Sequence, residues 1–157
     1  MLGGAAGIGF DTTKVLASRG VKTYMLDLNP PDEEPPPNAE YVCCNVTSWS
    51  ELLPAFERAG HVDIAIANAG VSEEANYFKD TFDDDSNLIE PKYRVIDVNY
   101  RAVLNFVKLS LSFLRRQGTG GSIVITSSAT AYAPEHSLPV YSATKLAVST
   151  CYQKQEE

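Results

Sequence analysis

Several things are scarce in this sequence, and each scarcity excludes a class of protein. Three cysteines in 157 residues, two of them adjacent (Cys43 and Cys44), cannot build a disulfide framework, so a reducing compartment is expected. Basic residues are outnumbered: 13 Lys and Arg against 20 Asp and Glu leave a net charge of −7. That balance carries no electrostatic footprint for nucleic acid or an anionic membrane. Long uninterrupted apolar runs are also missing. The most apolar long segment, around Val95 to Leu114, contains Asp97, Arg101 and Lys108, which argues against a membrane span. The opening residues Met1 to Gly7 have no basic region and too much glycine for a secretory signal. No internal repeat is visible. These exclusions leave a cytoplasmic globular chain expected to form one domain, and its 44% hydrophobic content is ordinary for that class.

What is present alternates between strand-like and helix-like stretches. Gly3-x-x-x-Gly7-x-Gly9 opens a helix expected to reach about Arg19, and Val21 to Asp27 reads as a buried strand ending in a carboxylate. A polar loop containing Pro30, Pro31, Pro35, Pro36 and Pro37 follows. Glu40 to Val46 is a second strand, and Ser48-x-x-Glu51 has the form of a capping box opening a helix that Pro54 should kink or delay. Val62 to Ala67 is a third strand, running into Asn68-Ala69-Gly70. Pro91 is expected to open the longest helix, to about Arg116, and the strand Ser122 to Thr126 comes after a glycine break. This alternation predicts βαβ units around a parallel sheet.

Two groups of residues carry chemistry. Glycines before a helix let the backbone approach a pyrophosphate, and the helix N-terminus offers unpaired N–H groups and a positive dipole end. Asp27 lies eighteen residues after Gly9 at the end of the next strand, where a carboxylate can accept hydrogen bonds from ribose hydroxyls. The second group is Ser128 with Tyr141 and Lys145, the last two an i,i+4 pair on one helix face. A cation near a phenol favours phenolate, making Tyr141 a candidate acid/base for a hydroxyl–carbonyl couple, with Ser128 able to bond the same oxygen. The acidic loop between Val71 and Pro91 is read as solvated. An EF-hand starting at Asp83 fails because Leu88 stands at the glycine position and Arg94 at the bidentate glutamate position. No metal is expected. The sequon Asn45-Val46-Thr47 is read as accidental.

The order and spacing of Gly3-x-x-x-Gly7-x-Gly9, Asn68-Ala69-Gly70, Asn99, Ser128 and Tyr141-x-x-x-Lys145 resemble the short-chain dehydrogenases/reductases over residues 1 to about 150. The acidic loop before a long helix is similar to the hydroxyprostaglandin-dehydrogenase-like branch. The resemblance implies a Rossmann-like, doubly wound parallel sheet with helices on both faces, and hydride transfer between NAD(H) and an alcohol or ketone. It also implies Tyr141 as general acid/base, Lys145 on the nicotinamide ribose, Ser128 on the substrate oxygen and Asn99 holding a water in a proton relay. Gly3, Gly7, Ile8, Gly9, Asp27, Asn45, Val46, Asn68, Ala69, Gly70, Tyr141 and Lys145 would line the cofactor site, with Asn68 also bracing the sheet. Asp27, with no cation in Gly4-Ala5-Ala6 or Leu28-Asn29, points to NAD rather than NADP. A homo-oligomer formed through the long helix 91–116 and the helix after 139 is implied for a complete version.

The sequence also departs from the family. Leu2 stands where the family has Thr, and Asn45 where it usually has Asp. Only Met1 and Leu2 precede Gly3, so the opening strand is expected to be missing, and the later strands with the substrate loop to be absent after Gln153 to Glu157. On that reading residues 1–157 are a single partial Rossmann domain, expected to be neither a stable monomer nor an active enzyme. The alternative is a truncated, inactive product that at most binds nucleotide or a partner protomer.

Overall fold

A computed structural model describes residues 1–74 and 76–151. Helix α1 (Gly7–Ser18) leads into strand β1 (Thr23–Asp27), and β2 (Ala39–Cys43) pairs with β1 in parallel, Thr23 opposite Ala39. Helix α2 (Trp49–Ala59) crosses to β3 (Ile64–Ala67), which pairs in parallel with β4 (Ser122–Ile125), Ile64 opposite Ser122. Between β3 and β4 run a short α3 (Arg94–Ile96), a π-helical turn (Asp97–Arg101) and α4 (Ala102–Gln117). A 3₁₀ turn (Ala129–Ala131) and α5 (Pro139–Ser149) complete the described elements.

The chain's first residues join the two strand pairs. Leu2 is bridged in parallel to both Leu26 and Ala67, with its N–H donating to the Ile66 carbonyl at 2.9 Å and the Gly3 N–H to the Leu26 carbonyl at 2.9 Å. The order is therefore β2–β1–(Met1 to Gly3)–β3–β4, all parallel. Among the described residues no strand precedes α1, as expected; the isolated bridges of Leu2, which is 0% exposed, stand in that position. The sheet is the Rossmann-like doubly wound arrangement, present in part. Its core gathers Leu2, Leu26, Leu52, Ala67 and Val103 around an aromatic trio, with Phe56 ring centroids 5.1 Å from Phe106 and 5.3 Å from Phe113.

Four local expectations are revised. Strand β2 ends at Cys43 and not Val46, because Asn45 Oδ1 accepts from the Thr47 N–H (3.1 Å) and hydroxyl (2.8 Å), a side-chain turn that competes with the ladder. Helix α2 runs from Trp49 through Pro54 without delay; the ring removes one N–H, and burial of Leu52, Ala55 and Phe56 holds the helix. No capping box forms: Ser48 Oγ pairs with Ser50 Oγ at 3.0 Å, while Glu51 reaches past it to the Asn45 N–H at 2.7 Å. The long helix begins at Arg94 and not at Pro91, and it is interrupted by the π turn that carries Asn99. The expected run into Gln153 to Glu157 lies outside the described residues.

Candidate functional site

The glycines at the N-terminus of α1 divide into two kinds. A Cβ on Gly3 would lie 2.7 Å from Ala69 Cα, and one on Gly9 only 1.8 Å from the Gly3 carbonyl oxygen, so both positions exist for close backbone packing. Gly7 has φ +48° and nothing within 4 Å, the left-handed conformation that glycine adopts without steric cost. Ile8 beside it is 72% exposed. The result is a bare helix N-terminus turned outward, with its first N–H groups lacking intrahelical acceptors.

A cleft of about 630 Å³ opens beside this loop, and its walls include Gly3, Asp27, Asn45, Val46 and the Asn68–Gly70 run. Four non-adjacent stretches of the chain thus meet at the carboxyl ends of the parallel strands, the position where open α/β sheets bind ligands. The Asp27 carboxylate accepts from the Ala5 N–H (3.2 Å) and the Leu28 N–H (2.9 Å), which aims it across the cleft floor from the end of β1. Asn68 ties the glycine loop to the end of β4: its Nδ2 donates to the Gly3 carbonyl at 3.1 Å, and its Oδ1 accepts from the Thr126 hydroxyl at 3.1 Å.

The second group of residues assembles around α5. Pro139 opens this helix at a position where its missing N–H costs nothing, which puts Tyr141 in the first turn and Lys145 one turn on. Lys145 is 4% exposed, and its Nζ donates to the Thr126 carbonyl at 2.9 Å. Burial holds its pKa below the usual lysine value. The ammonium lies 5.8 Å from the Tyr141 ring centroid, and a Cβ on Gly70 would sit 3.4 Å from Nζ and 3.5 Å from Asn99 Oδ1. Asn68–Gly70, Asn99 and Lys145 are therefore one cluster. Ser128 starts the 3₁₀ turn, its Oγ accepting from the Thr130 N–H (3.2 Å) and hydroxyl (3.0 Å). A hydroxyl has two acceptor sites and one donor, so the Ser128 O–H remains available as a donor.

Asn99 is 0% exposed. Its Oδ1 accepts from the Val71 N–H at 2.8 Å, and its Nδ2 donates to the Val71 carbonyl at 2.9 Å and to the Thr144 hydroxyl at 3.4 Å. The side chain thus clamps the strand-end loop to α5, and the π turn is what aims it inward.

Residues that sequence reasoning passed over hold α5 in place. Glu73, read as part of a solvated loop, accepts from the Tyr141 N–H at 2.7 Å and so satisfies one of the orphan donors of the helix. Ser127 Oγ donates to the Lys145 carbonyl at 2.9 Å and lies 2.6 Å from Ser149 Oγ. No local signal joins positions 73 and 141; only the fold does. Elsewhere in the acidic loop Glu74 pairs with Arg94, while Asp83 is held by its own neighbours. Asp83 accepts from the Asp85 (3.0 Å) and Asn87 (2.8 Å) N–H groups, bonds that hold its carboxyl below the usual range.

The chain as a whole is similar to known proteins. A family model described as short chain dehydrogenase matches residues 1–156. The chain is 55% identical over 144 residues to the short-chain dehydrogenase/reductase prx4 of Penicillium roqueforti, covering 91% of this chain and 44% of that protein. It is 47% identical over 148 residues to ATR7 of Stachybotrys chlorohalonatus, covering 93% and 46%. The chain thus spans somewhat under half the length of these relatives. Among solved structures, a short-chain dehydrogenase of Leptospira borgpetersenii with bound NAD+ superposes with a TM-score of 0.78 at 20% identity, covering 94% of this chain and 59% of that one. LigO of Sphingobium does so with a TM-score of 0.77 at 27% identity, covering 94% and 57%. The chain belongs to the short-chain dehydrogenase/reductase family.

Proposed function

We propose that the chain carries the nucleotide-binding and proton-transfer half of an NAD-dependent oxidoreductase acting on an alcohol or ketone. The observation that carries this reading is the buried Lys145, held at the end of the central sheet by Thr126, with Tyr141 one turn away on the same helix and Gly70 and Asn99 against it. The cleft fits a dinucleotide: Gly7 leaves the α1 N-terminus bare for a pyrophosphate, and Asp27 stands one strand over for ribose hydroxyls. Leu28 and Asn29 beside Asp27 bring no cation to pair with a 2′-phosphate. Of the two basic residues in the cleft wall, Lys92 and Arg94, the second is paired with Glu74. The preference is therefore NAD(H) over NADP(H).

When bound, a nicotinamide cofactor takes up or supplies the hydride. The chain's own part is proton handling and orientation. In the oxidation direction the Tyr141 phenolic oxygen accepts the substrate hydroxyl proton, and in reduction it returns it. Ser128 donates its free O–H to the same substrate oxygen. Lys145 holds its ammonium 5.8 Å from the Tyr141 ring centroid and, with one donor on the Thr126 carbonyl, has donors left for the nicotinamide ribose. Asn99 keeps α5 and the Asn68–Val71 segment in register.

The test is Tyr141→Phe in a complete version of the protein, assayed for alcohol-dependent NADH formation and for stabilisation by NAD+ in thermal melts. Turnover should vanish while the NAD+-induced shift persists, because the change removes a proton carrier and no ribose contact. Retention of more than about a few per cent of the rate would show the acid/base assignment to be wrong.

A further inference from the structure

Helix α5 carries Tyr141 in its first turn and Lys145 one turn on, and different parts of the chain hold the two turns. The second is fixed to the end of the sheet and to the π turn. Lys145 Nζ donates to the Thr126 carbonyl at 2.9 Å, Ser127 Oγ to the Lys145 carbonyl at 2.9 Å, and Asn99 Nδ2 to the Thr144 hydroxyl at 3.4 Å. The first turn has no cap of its own. Leu138 stands at the N-cap, where its side chain offers no acceptor, and Pro139 has no N–H to give. The helical ladder starts with the Ser142 N–H on the Leu138 carbonyl at 2.9 Å, so the Tyr141 N–H must be satisfied from outside.

Glu73 satisfies it. Its Oε2 accepts from the Tyr141 N–H at 2.7 Å, the bond that an N-cap Ser or Asp makes locally, here supplied from 68 residues away. The carboxylate also meets the positive end of the α5 dipole. Glu73 is itself held on both sides. Two residues before it, the Val71 N–H and carbonyl both bond to the Asn99 side chain, at 2.8 and 2.9 Å. The residue after it, Glu74, pairs with Arg94 in the cleft wall. Among the described residues the other side-chain bond from the first turn to a different segment is local. There the Ser142 hydroxyl accepts from the Glu135 N–H at 3.3 Å, seven residues back.

We propose that Glu73 is a positioning residue for the proton-transfer step: its carboxylate oxygen fixes the first turn of α5, and with it the Tyr141 phenol, while Lys145 is held independently. This rests on the reading of Tyr141 as acid/base and Lys145 as ribose contact. The separate anchoring of the two turns gives Glu73 a selective effect. Without its acceptor the first turn frays and the phenol leaves its place, whereas Lys145 stays on Thr126 and keeps its hold on the ribose. Rate and nucleotide affinity should therefore part. Reach is what matters. A glutamine keeps an acceptor oxygen at the same distance without the charge. An aspartate keeps the charge but stops one methylene short, and the Asn99 clamp on Val71 restrains the loop from following.

The test compares Glu73→Ala, Glu73→Asp and Glu73→Gln in a complete version of the protein, measuring alcohol-dependent NADH formation at saturating substrate and NAD+ affinity by titration. Glu73→Ala and Glu73→Asp should lower kcat by about 10- to 100-fold, the cost of a misplaced reacting group, with the Kd for NAD+ within about twofold of the parent. Glu73→Gln should hold kcat within about threefold, because its amide oxygen still accepts from the Tyr141 N–H. A kcat within about threefold of the parent in Glu73→Ala or Glu73→Asp overturns the proposal. A rise in the NAD+ Kd in step with the loss of rate also overturns it, since α5 would then move as a whole. So does a Glu73→Gln rate as low as that of Glu73→Ala, which would make charge and not reach the cause. If Glu73→Ala does not fold, Glu73→Asp carries the same contrast with Glu73→Gln. Failure of the underlying reading is told apart by Tyr141→Phe, which would then retain turnover.

Discussion

Gly9→Ala tests the geometry of the nucleotide loop most directly. The added methyl carbon would stand 1.8 Å from the Gly3 carbonyl oxygen and 2.8 Å from Asn68 Nδ2, against an ordinary contact of 3.4 Å or more. The shortfall, 3.4 − 1.8, is about 1.6 Å. Gly3 cannot yield that distance freely, because its N–H is bonded to Leu26 at 2.9 Å and its carbonyl to Asn68 at 3.1 Å. Relaxation must sacrifice the Asn68 bond, worth about 1 kcal/mol, and add about 1–3 kcal/mol of overpacking. The sum, about 2–4 kcal/mol, is a large share of a domain stability of about 5–15 kcal/mol. For a chain of this size it corresponds to a melting-temperature loss of about 5–15 °C. Gly7→Ala is the control: nothing lies within 4 Å, so only the left-handed φ of +48° costs, about 1–2 kcal/mol. Thermal and urea melts of the two variants should rank Gly9→Ala well below Gly7→Ala. A Gly9→Ala protein melting within about 2 °C of the parent, or a reversed order, would refute the packing argument.

Asn99→Ala removes three hydrogen bonds and strands the Val71 N–H and carbonyl, so urea denaturation should show a loss of about 2–4 kcal/mol; a loss below about 1 kcal/mol would mean the clamp is dispensable. Lys145 is buried with its pKa lowered from 10.5, so between its folded value and 10.5 the unfolded chain binds the proton that the folded chain releases. Its contribution to stability therefore rises with pH through that window, and Lys145→Met should flatten the slope of urea midpoint against alkaline pH; an unchanged slope contradicts the burial argument. Asp27→Ala should narrow the preference for NAD+ over NADP+, read as the ratio of nucleotide-induced melting shifts or of kcat/KM; a ratio that widens would mean Asp27 is not on the ribose side of the cleft.

Much of this protein was legible in the sequence because its elements carry strong local signals. The apolar run Thr23 to Asp27 and the β-branched run Ser122 to Ile125 read as strands from local pattern, and glycines before a helix followed by a strand-end Asp27 specify the loop at the carboxyl ends of the sheet. Tyr141 and Lys145 share a helix face by spacing alone. Tertiary structure decided what depends on partners distant in sequence. Glu73 became the cap of α5 because the fold brings it 2.7 Å from the Tyr141 N–H, 68 residues away. Asn99, unremarkable by helix propensity, is turned inward by a π turn and spent on Val71. Glu51 was drawn from its expected capping partner to the Asn45 N–H. Met1 and Leu2 are too short to read as a strand, yet Leu2 seats between Leu26 and Ala67, since two flanking ladders and full burial outweigh the lack of local propensity. Local pattern fixes which segments are helix or strand; long-range hydrogen bonds and packing decide which side chains meet.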